Sequence, residues 1–233
     1  MDEFFDRHPQ AALAFSAGKD SAACLKLLRK YTHRFIVMWV NQGNPYLETV
    51  EYMKKIKTSV PFFYEIKGNQ PEYVKQHGYP VDILPVFHTT LGQLGNHPIQ
   101  QKFCSSLQCC GNNLWVPMEE ALKRLQITGL IRGQKNSDKH QPLCKSGAVE
   151  NGIEFFHPLE AWTDSDVLEF LGEDAPPNYL RGGRSSLECQ DCTGFSYAND
   201  GNRGIRTPEM QVKFEQVKKL HRAAVLESFN GPV

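Results

Sequence analysis

The sequence predicts an α/β protein: a doubly wound, mostly parallel sheet followed by an irregular, cysteine-containing C-terminal extension. Three observations carry that expectation. Apolar runs bounded by turn residues recur at 11–15, 34–40 and 61–66, and continuous runs of this length suit strands covered on both faces. The segments between them place apolar residues at helical spacing, so the order reads β-α-β-α-β-α. From Pro176 to Gly204, by contrast, Gly, Pro, Asn and Ser dominate. The expected division is therefore an α/β domain over residues 1–175, with residues 176–233 packed on it as an extension.

A chain of 233 residues can bury one good core. Its 26 Lys and Arg balance 26 Asp and Glu, which argues against a duplex-coating basic protein but leaves room for a local basic groove. No apolar run approaches a membrane span, and the acidic, Phe-containing start does not read as a secretory signal. The expectation is a cytoplasmic protein. In that compartment seven cysteines do not make a disulfide framework. Cys109-Cys110 and Cys189-x-x-Cys192 are instead spaced like ligands of a metal or cluster.

Taken in order, residues 1–10 form a short helix or arm with Phe4 and Phe5 as packing handles. Ala11 to Phe15 is a buried strand, Ser16-Ala17-Gly18 a small-residue turn, and Asp20 to Leu28 a helix. A strand, a tight turn and a helix N-terminus make an anion site, because first-turn N–H groups lack partners and the helix dipole favours negative charge. Lys19 adds a cation and Ser21 a hydroxyl, although the spacing is not Walker A. The second strand, 34–40, ends in the turn Asn41-Gln-Gly43-Asn-Pro45. Leu47, Val50, Met53 and Ile56 then mark a helix. A third strand at 61–66 leads to a short helix near Glu72 to Gln76.

Residues 78–99 read as a long irregular segment, either a lid or a loop, and its His88 and His97 are placed in no site. Leu114, Trp115, Met118, Ala121, Leu122 and Leu125 describe an amphipathic helix interrupted near its start by Pro117. The strand 127–131 delivers Arg132-Gly-Gln-Lys135-Asn-Ser-Asp138-Lys139 to a strand end, where ligands of open parallel sheets bind. Residues 152–159 form a strand or edge. Thr163 then caps a helix from Asp164 to Leu171, with Asp166 completing a capping box. Pro208 to Leu226 is the last helix.

Ser16-Ala-Gly-Lys-Asp-Ser21 resembles the Ser-Gly-Gly-x-Asp-Ser pyrophosphate loop of the adenine nucleotide α-hydrolases. Ala17 replaces the first glycine, a mild departure as long as its φ stays negative. Asn41-Gln-Gly43 followed by Pro45-Tyr-Leu-Glu-Thr49 is similar to that group's second segment. Cys109-Cys110 with Pro117-Met118, Gly133-x-Lys135-x-x-Asp138, His157-Pro-Leu-x-x-Trp162-Thr163 and Cys189-x-x-Cys192-Thr193 follow in the order of a narrower family. Together these segments, spanning roughly residues 11 to 195, resemble the phosphoadenosine phosphosulfate (PAPS) reductase family, with a cysteine pattern like that of assimilatory adenylylsulfate (APS) reductases.

The resemblance implies an adenine nucleotide α-hydrolase-like fold with Ser16, Ala17, Gly18, Lys19, Asp20 and Ser21 holding the pyrophosphate of ATP or the phosphosulfate of PAPS or APS, with or without Mg²⁺. Asn41 and Gly43 would lie near the adenosine, and Gly133 and Asp138 would complete the nucleotide site. Lys19, Asp20, Arg132 and Lys135 form the implied catalytic group. Arg132 and Lys135 would clamp oxygens, and Asp20 would be a metal ligand or a cap. Cys109, Cys110, Cys189 and Cys192 would ligate a [4Fe–4S] cluster, with Zn²⁺ as the alternative.

Two departures keep the reaction open. The reductases carry a nucleophilic cysteine near the C-terminus, and this chain has no cysteine after Cys192. Cys104 or Cys144 could substitute only if the fold brings one to the nucleotide. Lys19-Asp20-Ser21 also looks more like loops that cleave the α–β bond of ATP. One alternative is a sulfonucleotide reductase served by a thioredoxin-like electron donor. Another is an ATP pyrophosphatase-type sulfurtransferase fed by a cysteine desulfurase, as in nucleic-acid thiolation. The third is a nucleotide-binding subunit without turnover. No membrane partner is expected; a homo-oligomer stays open.

Overall fold

The computed structural model describes residues 1–94, 102–138, 144–180, 189–190, 192–194 and 208–230. Its strands are β1 (Ala11–Ala14), β2 (Phe35–Asn41), β3 (Phe63–Lys67), β4 (Tyr79–Val81), β5 (Phe103–Ser105), β6 (Gly129–Ile131), β7 (Val149–Glu150) and β8 (Ile153–Phe156). Six of them form the main sheet in the order β3-β2-β1-β6-β8-β7. Every pairing there is parallel except that of the edge strand β7 with β8. All carboxyl ends of the parallel strands therefore open on one edge.

The helices are α1 (Asp2–Arg7), α2 (Lys19–Leu27), α3 (Leu47–Ser59), α4 (Gln70–His77), α5 (Thr90–Leu94), α6 (Ser106–Cys110), α7 (Val116–Arg124), α8 (Asp164–Leu171), α9 (Pro177–Leu180) and α10 (Pro208–Asn230). Alternation along the strands feeds two cores, one on each face. Leu13, Val37, Trp39 and Ile131 pack with Phe5 of α1, Ala23 of α2, Met53 of α3 and Val167 of α8. Ala12, Met38, Val40, Ile66 and Leu130 pack on the other face with Ala121 and Leu122 of α7. Helices on both faces of a mostly parallel sheet are the doubly wound α/β architecture that the apolar runs predict. The capping box is present too: Thr163 accepts from the Asp166 amide, and Asp166 accepts from that of Thr163.

Part of the segment expected to be irregular is ordered. β4 pairs in parallel with β5 in a separate two-stranded sheet, and Val81 and Phe103 of that sheet pack against Val217 of α10. Three-residue strands are too short to show a period, which hid both. His88 meets the Phe103 ring edge-on, and His221 of α10 meets it likewise, each at 5.4 Å. These rings serve packing; His97 lies outside the described residues. Pro117 also behaves differently from the expectation. Backbone dihedrals stay helical at Cys110, Trp115 and Val116, and residues 111–115 form a π turn joining α6 to α7. Wide i→i+5 bonding just ahead of Pro117 accommodates a residue that has no N–H for the carbonyl four positions back. Among the described residues no helix is long and apolar enough to cross a membrane.

Candidate functional site

At the carboxyl end of β1 the chain turns through Ser16, Ala17 and Gly18 into α2. The turn is held by its own hydroxyls. The Ser16 amide donates to Ser21 Oγ at 3.3 Å, the Gly18 amide to Ser16 Oγ at 3.4 Å, and Ser21 Oγ donates to the Gly18 carbonyl at 2.9 Å. Ala17 has φ +60°, so the replacement of glycine is not the mild one expected: an L-residue here costs about 1–2 kcal/mol. Gly18 occupies the N-cap with no side-chain cap. The first-turn amides of Lys19, Asp20 and Ser21 have no intrahelical acceptor and are left for a ligand.

Asp20, expected as a cap or metal ligand, is engaged by two lysines. Lys19 Nζ lies 2.9 Å from Asp20 Oδ2 and 2.9 Å from Asp164 Oδ1. Lys135 Nζ lies 2.6 Å from Asp20 Oδ1, 2.7 Å from Asp138 Oδ1 and 3.3 Å from Asp164 Oδ1. The Lys135 side chain is 1% exposed, and its ammonium is met by protein carboxylates. Burial opposes that charge, but the hydrogen bonds that the ammonium donates to Asp138 and Asp20 outweigh it and raise the pKa. Asp138 also accepts from the Lys135 amide at 2.9 Å, which locks the turn after β6. Gly133 is required by the same closeness: a Cβ there would sit 2.7 Å from the Asp20 carbonyl carbon.

Arg132, one residue earlier, is exposed, and its guanidinium has no hydrogen-bond or ion-pair partner among the described residues. Its charge acts on Cys144 and on His157. The fold thus brings Cys144 to the carboxyl edge beside Arg132, where burial and then a hydrogen bond to Glu150 push its thiol pKa up. Asn41 secures the end of β2, donating to Glu65 Oε1 at 2.7 Å and accepting from the Gly43 amide at 3.0 Å. Gly43 has φ +98°, a conformation that favours glycine.

Cys109, Cys110, Cys189 and Cys192 line one pocket together with Gln42, Gln70 and Asn113. The pocket adjoins the carboxyl ends of β2 and β3, since the Gln70 amide donates to the Gln42 carbonyl at 2.7 Å. Asn113 Nδ2 donates to the Cys109 carbonyl at 2.9 Å and reaches Cys109 Sγ at 3.9 Å. Gln70 is 2% exposed, yet its Oε1 has no partner among the described residues. Among those residues no three His, Cys, Asp or Glu side chains converge on a single ion; the thiols surround a space instead. Cys104 is a fifth thiol, next to Cys109 but not among the residues lining the pocket. Its Sγ donates to the Gly78 carbonyl at 3.2 Å, and a hydrogen bond shared with Cys109 holds Cys104 below the usual thiol range.

Residues 10–194 match the phosphoadenosine phosphosulfate reductase domain family, well over half of the chain. The chain belongs to that family. A curated PAPS reductase of Photobacterium profundum is 27% identical over 178 residues, covering 73% of this chain and 62% of the relative. The chain therefore spans less than two thirds of that relative's length. Among solved structures, the phosphate complex of PAPS reductase from Candida auris has a TM-score of 0.53 at 18% identity, covering 78% of this chain and 81% of that one. The U34-tRNA thiolase NcsA from Methanococcus maripaludis, solved with its [4Fe–4S] cluster, has a TM-score of 0.45 at 14% identity, covering 95% and 70%.

Within this PAPS reductase-family domain, the residues singled out in the sequence separate into two compartments along one sheet edge. Lys19, Asp20, Lys135 and Asp138 come together under the β1–α2 turn, and the four paired cysteines come together beyond β2. Asp164, His157 and Gln70 were missed. A signal existed for Asp164, because it opens a capped helix and so had to lie near a helix N-terminus; His157 stood at the head of a quoted motif with no role assigned, and Gln70 left no signal.

Proposed function

We propose that this protein binds an adenine nucleotide with its phosphates against the amides of residues 17–21 and reduces a sulfonucleotide, PAPS or APS, to sulfite. Cys109, Cys110, Cys189 and Cys192 would hold a [4Fe–4S] cluster. One observation carries the reading: a single carboxyl edge presents both a helix-N-terminal turn rich in unpartnered amides and a pocket lined by four thiols. Two close cysteine pairs lining one pocket suit a cluster, since adjacent cysteines chelating a single Zn²⁺ would be strained. Such a cluster supplies redox-active iron whose charge polarises anions close by.

The two lysines have different tasks. Lys19 is held by Asp164, whose side chain is 67% exposed, and an exposed pair of this kind contributes only about 0–1 kcal/mol. Lys19 can therefore exchange that carboxylate for a phosphate oxygen. Lys135 is enclosed and stays, fixing Asp20 and through it the first turn of α2. Asn41 and Gly43 would border the adenosine, Gly133 lets the two strand-end turns approach, and Arg132 would clamp further oxygens with its planar fork.

A second reading is an ATP pyrophosphatase-type sulfurtransferase. Three carboxylates face two lysines beneath the phosphate turn. That surplus of negative charge favours phosphates that arrive with Mg²⁺. Anaerobically purified protein, analysed for iron, sulfide and zinc, tests both readings. Sulfite release from PAPS or APS with a dithiol donor supports the first, and Mg²⁺-dependent pyrophosphate release from ATP supports the second. Nucleotide binding with neither product would mark a subunit without turnover and overturn both.

A further inference from the structure

We infer that Arg132 and His157 form a second oxyanion subsite, beside the phosphate turn and on its far side from the cysteine pocket. Its ligand is the tetrahedral group, sulfuryl or phosphoryl, that a nucleotide carries beyond its α-phosphate. The inference rests on the nucleotide-binding reading above and adds to it the place of the distal group.

Placement comes first. Arg132 follows β6, which pairs directly with β1, and its amide donates to the Phe156 carbonyl at 3.0 Å. His157 is the next residue along β8. Leu130 and Phe155 share a face with Ala12 and Ala14, so continued alternation puts Arg132 and His157 on the Ser16 side of the strand ends, across the edge from the face on which α2 packs. The cysteine pocket lies past β2 on the other flank. A nucleotide seated on the turn thus has thiols on one side and this pair on the other.

Unmatched donors come second. His157 is 3% exposed, and neither ring nitrogen has a partner among the described residues, although its amide is held by Ser146 Oγ at 2.9 Å. A buried polar group left unmade costs about 1–3 kcal/mol, which an oxyanion would recover. The Arg132 guanidinium next to it is also without a partner among the described residues, and its fork matches two oxygens of a tetrahedral anion. Burial and the Arg132 charge keep the imidazole below its ordinary pKa, against an upward pull from Glu160. Ser146, on the segment beside it, carries no charge. An anion between ring and guanidinium would reverse the balance and raise the His157 pKa.

The test compares AMP, ADP and adenosine 5′-phosphosulfate by calorimetry on the full chain and its Arg132→Ala and His157→Asn variants, with histidine NMR of the wild type. The expected wild-type protein binds ADP or the phosphosulfate roughly 10- to 100-fold more tightly than AMP, the range of a charge-assisted contact. Arg132→Ala, at an exposed position, loses that advantage while AMP binding is kept. The His157 resonance titrates at higher pH with the distal group present and is unmoved by AMP. Preference for the phosphosulfate identifies a sulfuryl ligand and preference for ADP a phosphoryl one, and either supports the subsite. Unchanged discrimination in Arg132→Ala, or a His157 titration indifferent to the distal group, overturns the subsite and leaves the phosphate-turn reading intact. Failure of the folded wild type to bind any of the three overturns that reading as well.

Discussion

Replacing Lys135 by methionine should destabilise the protein more than any other single change in the phosphate region. The side chain is 1% exposed and sits within 2.6–3.3 Å of three carboxylates. Methionine keeps most of the volume, so packing is nearly conserved and the loss is electrostatic. Asp164 is largely solvated and contributes little; Asp20 and Asp138 carry the coupling, each less than a third exposed. Removing one partner of a buried ion pair costs about 3–5 kcal/mol. For a chain of this length that is a fall in Tm of about 6–20 °C, taking about 2–4 °C per kcal/mol. The pH dependence has a definite sign. Lys135 has a raised pKa, so its stabilisation is complete below the unfolded lysine value of about 10.4 and disappears as pH rises through the higher folded value. Asp164, with a lowered pKa, gives stabilisation present above about 3.9 and lost as pH falls through its folded value. In Lys135→Met, Asp164 loses one of the two lysines that lower its pKa, so the gap to wild type should be widest near neutrality and narrow as pH falls through the Asp164 range. Urea unfolding followed by circular dichroism at several pH values measures it. Adding Asp138→Asn should restore part of the loss. A Lys135→Met protein within 1 kcal/mol of wild type at pH 7, with a parallel pH profile, would refute the account.

Gly133→Ala places a Cβ against the Asp20 backbone and should cost about 1–3 kcal/mol through overpacking, with weaker nucleotide binding in calorimetry because the first turn of α2 must shift. At Ala17, valine should destabilise by more than about 2 kcal/mol, since a β-branched residue at positive φ is strained further. Glycine there should change stability by less than about 1 kcal/mol, strain relief being offset by the lost methyl and by chain entropy; thermal melts of both variants read this. Serine at Cys109 or Cys189 should remove most of the bound iron or zinc from anaerobically purified protein. Serine at Cys104 should leave the metal in place, and metal analysis separates the two outcomes.

Much of the main sheet can be read directly from the chain because its strands are buried on both faces and show as unbroken apolar runs; Phe35 to Val40 is the clearest. Thr163 and Asp166 announce their helix for a local reason, a cap being written in four residues. Lys135 and Asp138 were legible as the charged positions of one motif, but their ion pair and the reach of Lys135 to Asp20, 115 positions away, were not. The sign of φ at Ala17 is another such case, since alanine suits a negative φ and the turn imposes a positive one. β4 and β5 gave no warning because Tyr79-Pro80-Val81 is stabilised by a partner strand some two dozen residues on, and by a helix beyond residue 207. Polar side chains that end up buried, His157 and Gln70, leave no periodic trace at all.

Cys189 forms a β-bridge with Pro45, and Gln190 donates from its amide to the Asn44 carbonyl at 3.0 Å and from Nε2 to the Pro45 carbonyl at 2.7 Å. The loop leaving β2 is thereby sewn to the backbone that carries two of the sulfurs. Whatever fixes those sulfurs also stiffens the rim on which a nucleoside would lean, and a nucleoside pressing on the rim steadies the sulfurs in return. If the two sites are filled as proposed, coupling through this seam would be reciprocal, each occupancy shifting the other's dissociation constant by the same factor.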